Sequence, residues 1–279
     1  MGALIGPTQP QFKRLVEGSI GLGICSWVYL LLAIENGSSV NSMTSDDLVV
    51  ITGASRGVGE ALALRLASEG RTVAALARSS DKLEKLAAKA DAGRIIACPV
   101  DVSNAEAVTL CIDALEADHG PIGVLVNNAA VVQNIPFAEQ SLETLDDIID
   151  INLKGAMYCT HAAIQHMIPR RRGRIVNIAS VAGVRGIEGQ ASYCASKHGM
   201  LGFADALTQE LIPHRIGVST ICPGAIDTPL WDPETNPYPG DVSKTIQPGE
   251  IVDMVCYILG QPDHTVFKRV VMFPTNEWH

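Results

Sequence analysis

From Asp47 to the C-terminus, short apolar runs alternate with longer stretches whose apolar residues recur at helical spacing. The pattern predicts strands at 47–53, 72–77, 94–100, 121–127, 173–180, 216–222 and 268–274. It predicts helices at 58–69, 80–91, 103–118, 141–168, 191–212 and 248–260. Such alternation builds βαβ units, in which right-handed crossovers lay helices over a parallel sheet. Runs such as VLVNN and RIVNIAS are apolar on both faces, as a sheet covered on both sides requires. The expected fold is therefore α/β, a doubly wound seven-stranded parallel sheet with helices on both faces and no internal repeat.

Two constellations on this frame carry chemistry. The first strand breaks at Val49–Gly59, VVITGASRGVG, into a turn with Gly53, Gly57 and Gly59, then becomes helical. Strand, glycine turn and helix bring backbone N–H groups and a helix N-terminus against a phosphate. Glycine there takes tight-turn angles and lets a pyrophosphate come close. The spacing is G-x-x-x-G-x-G, and alone it also fits a turn that merely joins strand to helix. The second constellation lies far downstream. Ser180 ends the fifth predicted strand, and Tyr193 and Lys197 of YCASK follow at i and i+4 on one helix face. A tyrosine with a reference pKa of about 10 is a poor acid–base group at neutral pH, and a neighbouring ammonium lowers that pKa.

Together these residues resemble the classical short-chain dehydrogenase/reductase family, whose signatures are T-G-x-x-x-G-x-G and Y-x-x-x-K with an upstream Ser. The resemblance covers the chain from about Asp46 onward. It implies a Rossmann-type fold and hydride transfer between a nicotinamide cofactor and a carbonyl or secondary alcohol, the organic chemistry being the cofactor's. Tyr193 would give or take the proton. Lys197 would tune it and hold the nicotinamide ribose, and Ser180 would donate to the substrate oxygen. Asn152, in DINLKG, would complete the relay by holding a water on its backbone carbonyl. The cofactor would meet Gly53, Ser55, Arg56, Gly57, Val58 and Gly59 at the turn, and Asp101 and Val102 at the adenine. Asn128 would line the adenosine side, and Pro223, Gly224, Ile226 and Thr228 the nicotinamide, alongside Tyr193 and Lys197. Where the family usually reads N-N-A-G, this chain has Ala130 in the last place.

The second strand ends in Ala77-Arg78, where an NAD enzyme usually carries an acidic residue for the ribose hydroxyl. Arg78 and Arg56 instead offer two guanidinium forks to a 2′-phosphate, with Ser79 and Ser80 as further donors, so NADP(H) is expected over NAD(H). The Pro-rich segment after Thr228 reads as a substrate lid with Leu230, Trp231 and Tyr238 as contacts. Neither the lid nor the loop 183–190 shows a charged pair poised for a carboxylate, and a ketone, an acyl thioester and a hydroxy acid all remain open as substrates. Asp101 and Ser103 also suit a helix N-cap.

Composition narrows the partners. A net charge of −9 argues against nucleic acid, and the basic run Arg170–Arg174 reads as a solvated loop. The seven cysteines have no metal or redox spacing, and Cys98, Cys222 and Cys256 lie in apolar runs. A reducing, cytoplasmic setting follows, with no metal site and a small-molecule carbonyl or alcohol as partner. The resemblance adds a homodimer or homotetramer. The rival is the same fold as a cofactor-sensing or membrane-anchored scaffold without turnover, which the presence of both Tyr193 and Lys197 opposes.

Residues 1–42 stand apart as an extension before a single catalytic domain, 43–279. Gly18 to Ile34 is uncharged and follows Lys13 and Arg14, at the short edge of a membrane span. An anchor with membrane association, a removable targeting segment, and translation starting at Met43 are the three readings. A chain starting at Met43 is expected to be soluble and active.

Overall fold

The computed structural model describes residues 47–90, 94–232 and 234–275, all within a unit spanning Asn41–His279. The predicted extension, with its apolar segment 18–34, lies outside the described residues. Among the described residues no helix is long and apolar enough to cross a membrane.

Seven strands form one parallel sheet: β1 Leu48–Thr52, β2 Val73–Ala77, β3 Ile95–Pro99, β4 Ile122–Asn127, β5 Gly173–Ile178, β6 Ile216–Pro223 and β7 Arg269–Met272. Their order is β3-β2-β1-β4-β5-β6-β7. Each lies where its apolar run predicts. Side chains alternate between faces with period two, so β1 feeds two cores. Val49 and Ile51 pack against helix α1, Gly57–Ser68. Leu48 and Val50 join the opposite core with α3, Ala105–His119, and α5, Ala156–Arg170. Every residue of β1 is buried; each such Val, Leu or Ile contributes roughly 1.5–3 kcal/mol.

The remaining helices are α2 Ser80–Ala87, α4 Leu142–Ile149, α6 Ala191–Leu211 and α7 Pro248–Leu259. The single helix predicted over 141–168 is in fact α4, a π-helical turn over Asp150–Gly155, and then α5. Helix α3 starts two residues later than predicted. Its N-cap is Asn104, whose side chain accepts from Ala107 N at 3.0 Å, so neither Asp101 nor Ser103 is the cap.

The basic run is not a solvated loop. Arg170 pairs with Glu116 and donates to the Ile122 carbonyl at 3.0 Å. Arg172 donates to Asp47 at 2.6 Å. Arg174, buried, donates to the Ile258 carbonyl at 3.1 Å. These arginines satisfy carbonyls and a buried carboxylate near the N-terminal ends of the strands, opposite the end that carries the site. Cys98 and Cys222 are buried as expected, while Cys256 is half-buried.

Candidate functional site

The strand order reverses between β1 and β4, and in open α/β sheets ligands bind beyond the carboxyl ends of the strands at such a point. A cavity of about 620 Å³ occupies this place, within the ~300–1,000 Å³ of small-molecule sites. Its wall runs from Gly53–Val58 past the ends of β2, β3 and β4 to Ser180, Tyr193 and Lys197, and then to the end of β6 and the segment Pro229–Trp231.

The glycine turn owes its shape to two constraints. Gly53 has φ of +66°, and a Cβ there would lie 2.7 Å from the Ala129 Cα. Gly59 needs space: a Cβ would lie 2.5 Å from the Gly53 carbonyl oxygen and 2.7 Å from Asn128 Nδ2. Gly59 therefore lets α1 pack against the turn and is not itself on the cavity wall, whereas Gly53, Ser55, Arg56, Gly57 and Val58 are. Asn128 fastens the turn to β4, donating through Nδ2 to the Thr52 carbonyl at 2.9 Å and the Gly53 carbonyl at 3.2 Å. Thr52 Oγ1 accepts from the N–H groups of Asn128 and Ala129 at 2.9 and 3.0 Å.

One end of the cavity is cationic. Arg56, Arg78 and Lys82 line it together with Ser79. Ser80 does not: its hydroxyl donates to Glu84 within α2 at 2.9 Å. Lys82 escapes a sequence reading because it looks like any exposed helical lysine; only the position of α2 beside the β2 end marks it. Asp101 and Val102 line the same region. Partial burial alone would raise the Asp101 pKa, but hydrogen bonds from Ser103 N at 3.0 Å and Ser103 Oγ at 2.7 Å, aided by Arg78, hold it below its ordinary value.

The other end carries Ser180, Tyr193 and Lys197. Ser180 leaves β5 and caps a short 3₁₀ turn, its Oγ accepting from Ala182 N at 3.1 Å. Tyr193 and Lys197 project from the first two turns of α6, only 7% and 1% exposed. Lys197 Nζ donates to the Ile178 carbonyl at 3.0 Å and lies 5.6 Å from the Tyr193 ring centroid. Burial pushes the phenol up to about 12, with the Ser180 hydrogen bond opposing, and pushes the lysine down to about 8. The expected lowering of the tyrosine by its lysine is thus not what this environment produces. Desolvation outweighs it, and the ammonium is turned to a main-chain carbonyl.

Pro223, Gly224, Ile226 and Thr228 line the wall at the end of β6, and Leu230, Trp231 and Tyr238 lie on its lid side. The two aromatic rings pack 5.1 Å apart, tilted by 59°. The lid is docked by Asn236, which sequence reasoning missed. Its Oδ1 accepts from Asn134 N at 2.9 Å, and its Nδ2 donates to the Leu230 carbonyl at 3.0 Å. Asn152 lies behind the wall. Fully buried on the π-helical turn, it brackets Val131, accepting from its N–H and donating to its carbonyl at 2.8 Å each, and it donates to Ser196 at 3.2 Å. Among the described residues no group of three or more His, Cys, Asp or Glu is arranged to hold a metal.

A seven-stranded doubly wound sheet with this cavity at its switch point defines a Rossmann-type α/β protein. The sequence matches the short chain dehydrogenase family over residues 47–238, and the chain belongs to that family of oxidoreductases, in its classical branch. The ketoacyl reductase HetN of Nostoc sp. (strain PCC 7120) is 41% identical over 180 residues, 64% of this chain and 63% of that protein. The chain thus spans less than two thirds of that relative's length. An uncharacterized oxidoreductase of Staphylococcus aureus (strain MW2) is 29% identical over 84% of this chain and 99% of its own. A metagenomic short-chain oxidoreductase solved with NADP superposes with a TM-score of 0.72 at 32% identity, covering 83% of this chain and 99% of that one. The family binds a nicotinamide cofactor, and the wall fits one. The side-chain-free positions Gly53 and Gly57 offer close main-chain approach, cations stand at one end, and a buried amine stands at the other.

Proposed function

We propose that this protein is an NADP(H)-dependent oxidoreductase of carbonyl reductase or alcohol dehydrogenase type, with residues 43–279 as one catalytic domain. What supports the reading is that Ser180, Tyr193 and Lys197 share one continuous cavity wall with the glycine turn. The bound reduced cofactor supplies the hydride. Gly53, Ser55, Gly57 and Val58 would hold its pyrophosphate, with Gly59 shaping the turn. Asp101, Val102 and Asn128 would border the adenosine, and Pro223, Gly224, Ile226 and Thr228 the nicotinamide. Arg56 and Arg78, joined by Lys82, would hold a 2′-phosphate, which favours NADP(H) over NAD(H).

For reduction, Ser180 donates to the substrate oxygen and Tyr193 delivers the proton. A phenol with its pKa raised by burial stays protonated at neutral pH, the form a proton donor needs. Lys197 holds the ribose hydroxyls and returns positive charge to the phenolate left behind. Asn152 keeps the β4 loop and α6 in register and would offer its carbonyl to a relay water. The substrate is a small carbonyl or alcohol; the name of the Nostoc relative keeps an acyl thioester in the set. A homodimer or homotetramer in the cytoplasm is the working assembly we infer, with membrane association only through residues 18–34.

The test is a carbonyl panel with NADPH, followed by loss of its absorbance, on wild type and Tyr193→Phe. Loss of the phenolic proton is expected to lower kcat at least a hundredfold, within the ~10²–10⁴ of general acid catalysis. Near-normal turnover by the variant would remove Tyr193 as the acid.

A further inference from the structure

The loop between Ser180 and α6 contributes a charged side chain to the cavity that nothing above uses, Arg185. Its backbone N–H donates to the Val181 carbonyl at 3.0 Å, so the residue stands one short turn from Ser180. Its guanidinium carbon lies 5.4 Å from the centroid of the Phe273 ring. Phe273 directly follows β7, whose Met272 carbonyl accepts from Gly224 N at 2.7 Å. The arginine is thus propped on an aromatic face beside the β6 end of the site, an arrangement that orients a guanidinium without neutralising it. Arg185 Nε is shielded from solvent and has no hydrogen-bond partner. Among the described residues no carboxylate comes within 4.0 Å of this side chain to form an ion pair.

The charge distribution along the wall sharpens the point. Asp101, its acidic residue, lies at the opposite end, held by Ser103 and facing Arg78. Around Ser180 and Tyr193 the lining other than Lys197 and Arg185 is neutral: Val131, Val132, Ile187, Gln190, Leu230 and Trp231. Arg185 is half-buried, and its shielded Nε is a donor left unsatisfied beside apolar side chains, which costs free energy unless a ligand completes it. A planar fork accepts a carboxylate bidentately.

Resting on the oxidoreductase reading above, we propose that Arg185 is a specificity-determining residue that pairs with an anionic group, a carboxylate, on the substrate. The favoured substrates are then oxo acids and the corresponding hydroxy acids. Their carbonyl reaches Ser180 and Tyr193 while the carboxylate meets Arg185, and Leu230, Trp231 and Ile187 cover the carbon chain between. Sequence inspection looks for a pair of charges in this loop. The structure supplies a single arginine prepared by an aromatic platform from the far end of the chain.

The experiment uses matched probes, a series of short oxo acids and their methyl esters, with wild type, Arg185→Gln and Arg185→Lys. Reduction is followed with NADPH, and binding in the presence of NADP⁺ is followed separately through tryptophan fluorescence. Wild type is expected to prefer acid over ester at least tenfold in kcat/KM, chiefly through KM. In Arg185→Gln the acid-to-ester ratio falls at least tenfold, and Arg185→Lys recovers part of it. A structural role would lower both probes together and leave the ratio unchanged. Esters reduced as well as acids by wild type, or an unchanged ratio in Arg185→Gln, overturns the proposal while leaving the reductase reading intact. Turnover of neither class overturns the reductase reading instead, and the fluorescence comparison of acid and ester still decides for or against Arg185.

Discussion

Lys197 makes the sharpest thermodynamic prediction of the molecule. Among the described residues it is the largest fully buried side chain, 1% exposed, and it donates to the neutral Ile178 carbonyl at 3.0 Å. Burial moves its pKa from 10.5 to about 8. At 1.36 kcal/mol per unit, the charged amine costs the folded state about 3 kcal/mol. The sign follows from linkage. Below pH 8 folded and unfolded chains both carry the proton, and the full penalty is present. Between about pH 8 and 10.5 only the unfolded chain holds it, so stability rises with pH. Replacing Lys197 with Met removes this titration. Urea unfolding of both proteins without added nucleotide, at pH 7, 8, 9 and 10, isolates it by difference and cancels groups common to both. The wild type should gain on the variant by most of those 3 kcal/mol by pH 10, equivalent to roughly 6–12 °C in Tm for a domain of this size. A difference that stays flat within about 1 kcal/mol would show that Lys197 does not titrate as a buried, unpaired amine. A difference that falls with pH would mean a hidden anion holds it charged.

Three further outcomes follow from the geometry. Gly59→Ala forces a Cβ to within 2.5 Å of the Gly53 carbonyl oxygen; the cost should be about 1–3 kcal/mol, read by urea unfolding, and an unchanged midpoint would refute the packing role. Replacing Arg56 and Arg78 together with Ala should raise KM for NADPH at least tenfold and leave NADH within a few-fold; equal losses on both would count against 2′-phosphate recognition. Asn236→Ala removes the bonds to Asn134 N and the Leu230 carbonyl. Hydrogen exchange at Asn134 should accelerate and substrate KM should rise, whereas unchanged exchange would mean the lid is held by other contacts.

Much of this was legible in the chain. The inner strands announced themselves because parallel strands buried on both faces must be short and apolar, while the edge strand β7, exposed or half-buried throughout, showed only through its apolar run. The YCASK spacing put Tyr193 and Lys197 on one helix face, which the structure bears out. Spacing could not say which atoms meet: Lys197 reaches past the phenol to Ile178 because the buried carbonyl there needs a donor. The π-helical turn was hidden because one inserted residue barely disturbs helical periodicity; a lone Asn in its middle was the only signal. The arginines of 170–174 were misread for a related reason. A charge run looks solvated unless one knows that Asp47 and the Ile122 and Ile258 carbonyls wait beside it.

Three asparagines explain why a site made largely of loops holds its shape. Beyond a strand's end the ladder stops, and main-chain N–H and C=O groups must find other partners. Asn128, Asn152 and Asn236 supply them, each bonding main-chain groups 76, 21 and 102 residues away in sequence. An amide can donate and accept at once, which is what a single main-chain N–H and C=O pair needs, and Asn152 does both to Val131. The glycine turn, the β4 loop and the lid are thereby tied to the sheet and to α6. Tyr193, by contrast, stands on the regular helix α6, and Ser180 sits between β5 and the 3₁₀ turn that it caps. The Arg185 side chain has no such amide tie and rests on the face of Phe273. On the proposal above, this side chain can then be exchanged without loosening the main chain of its loop, which is held by its own hydrogen bonds and by that from Ile135 N to the Gly189 carbonyl at 2.9 Å.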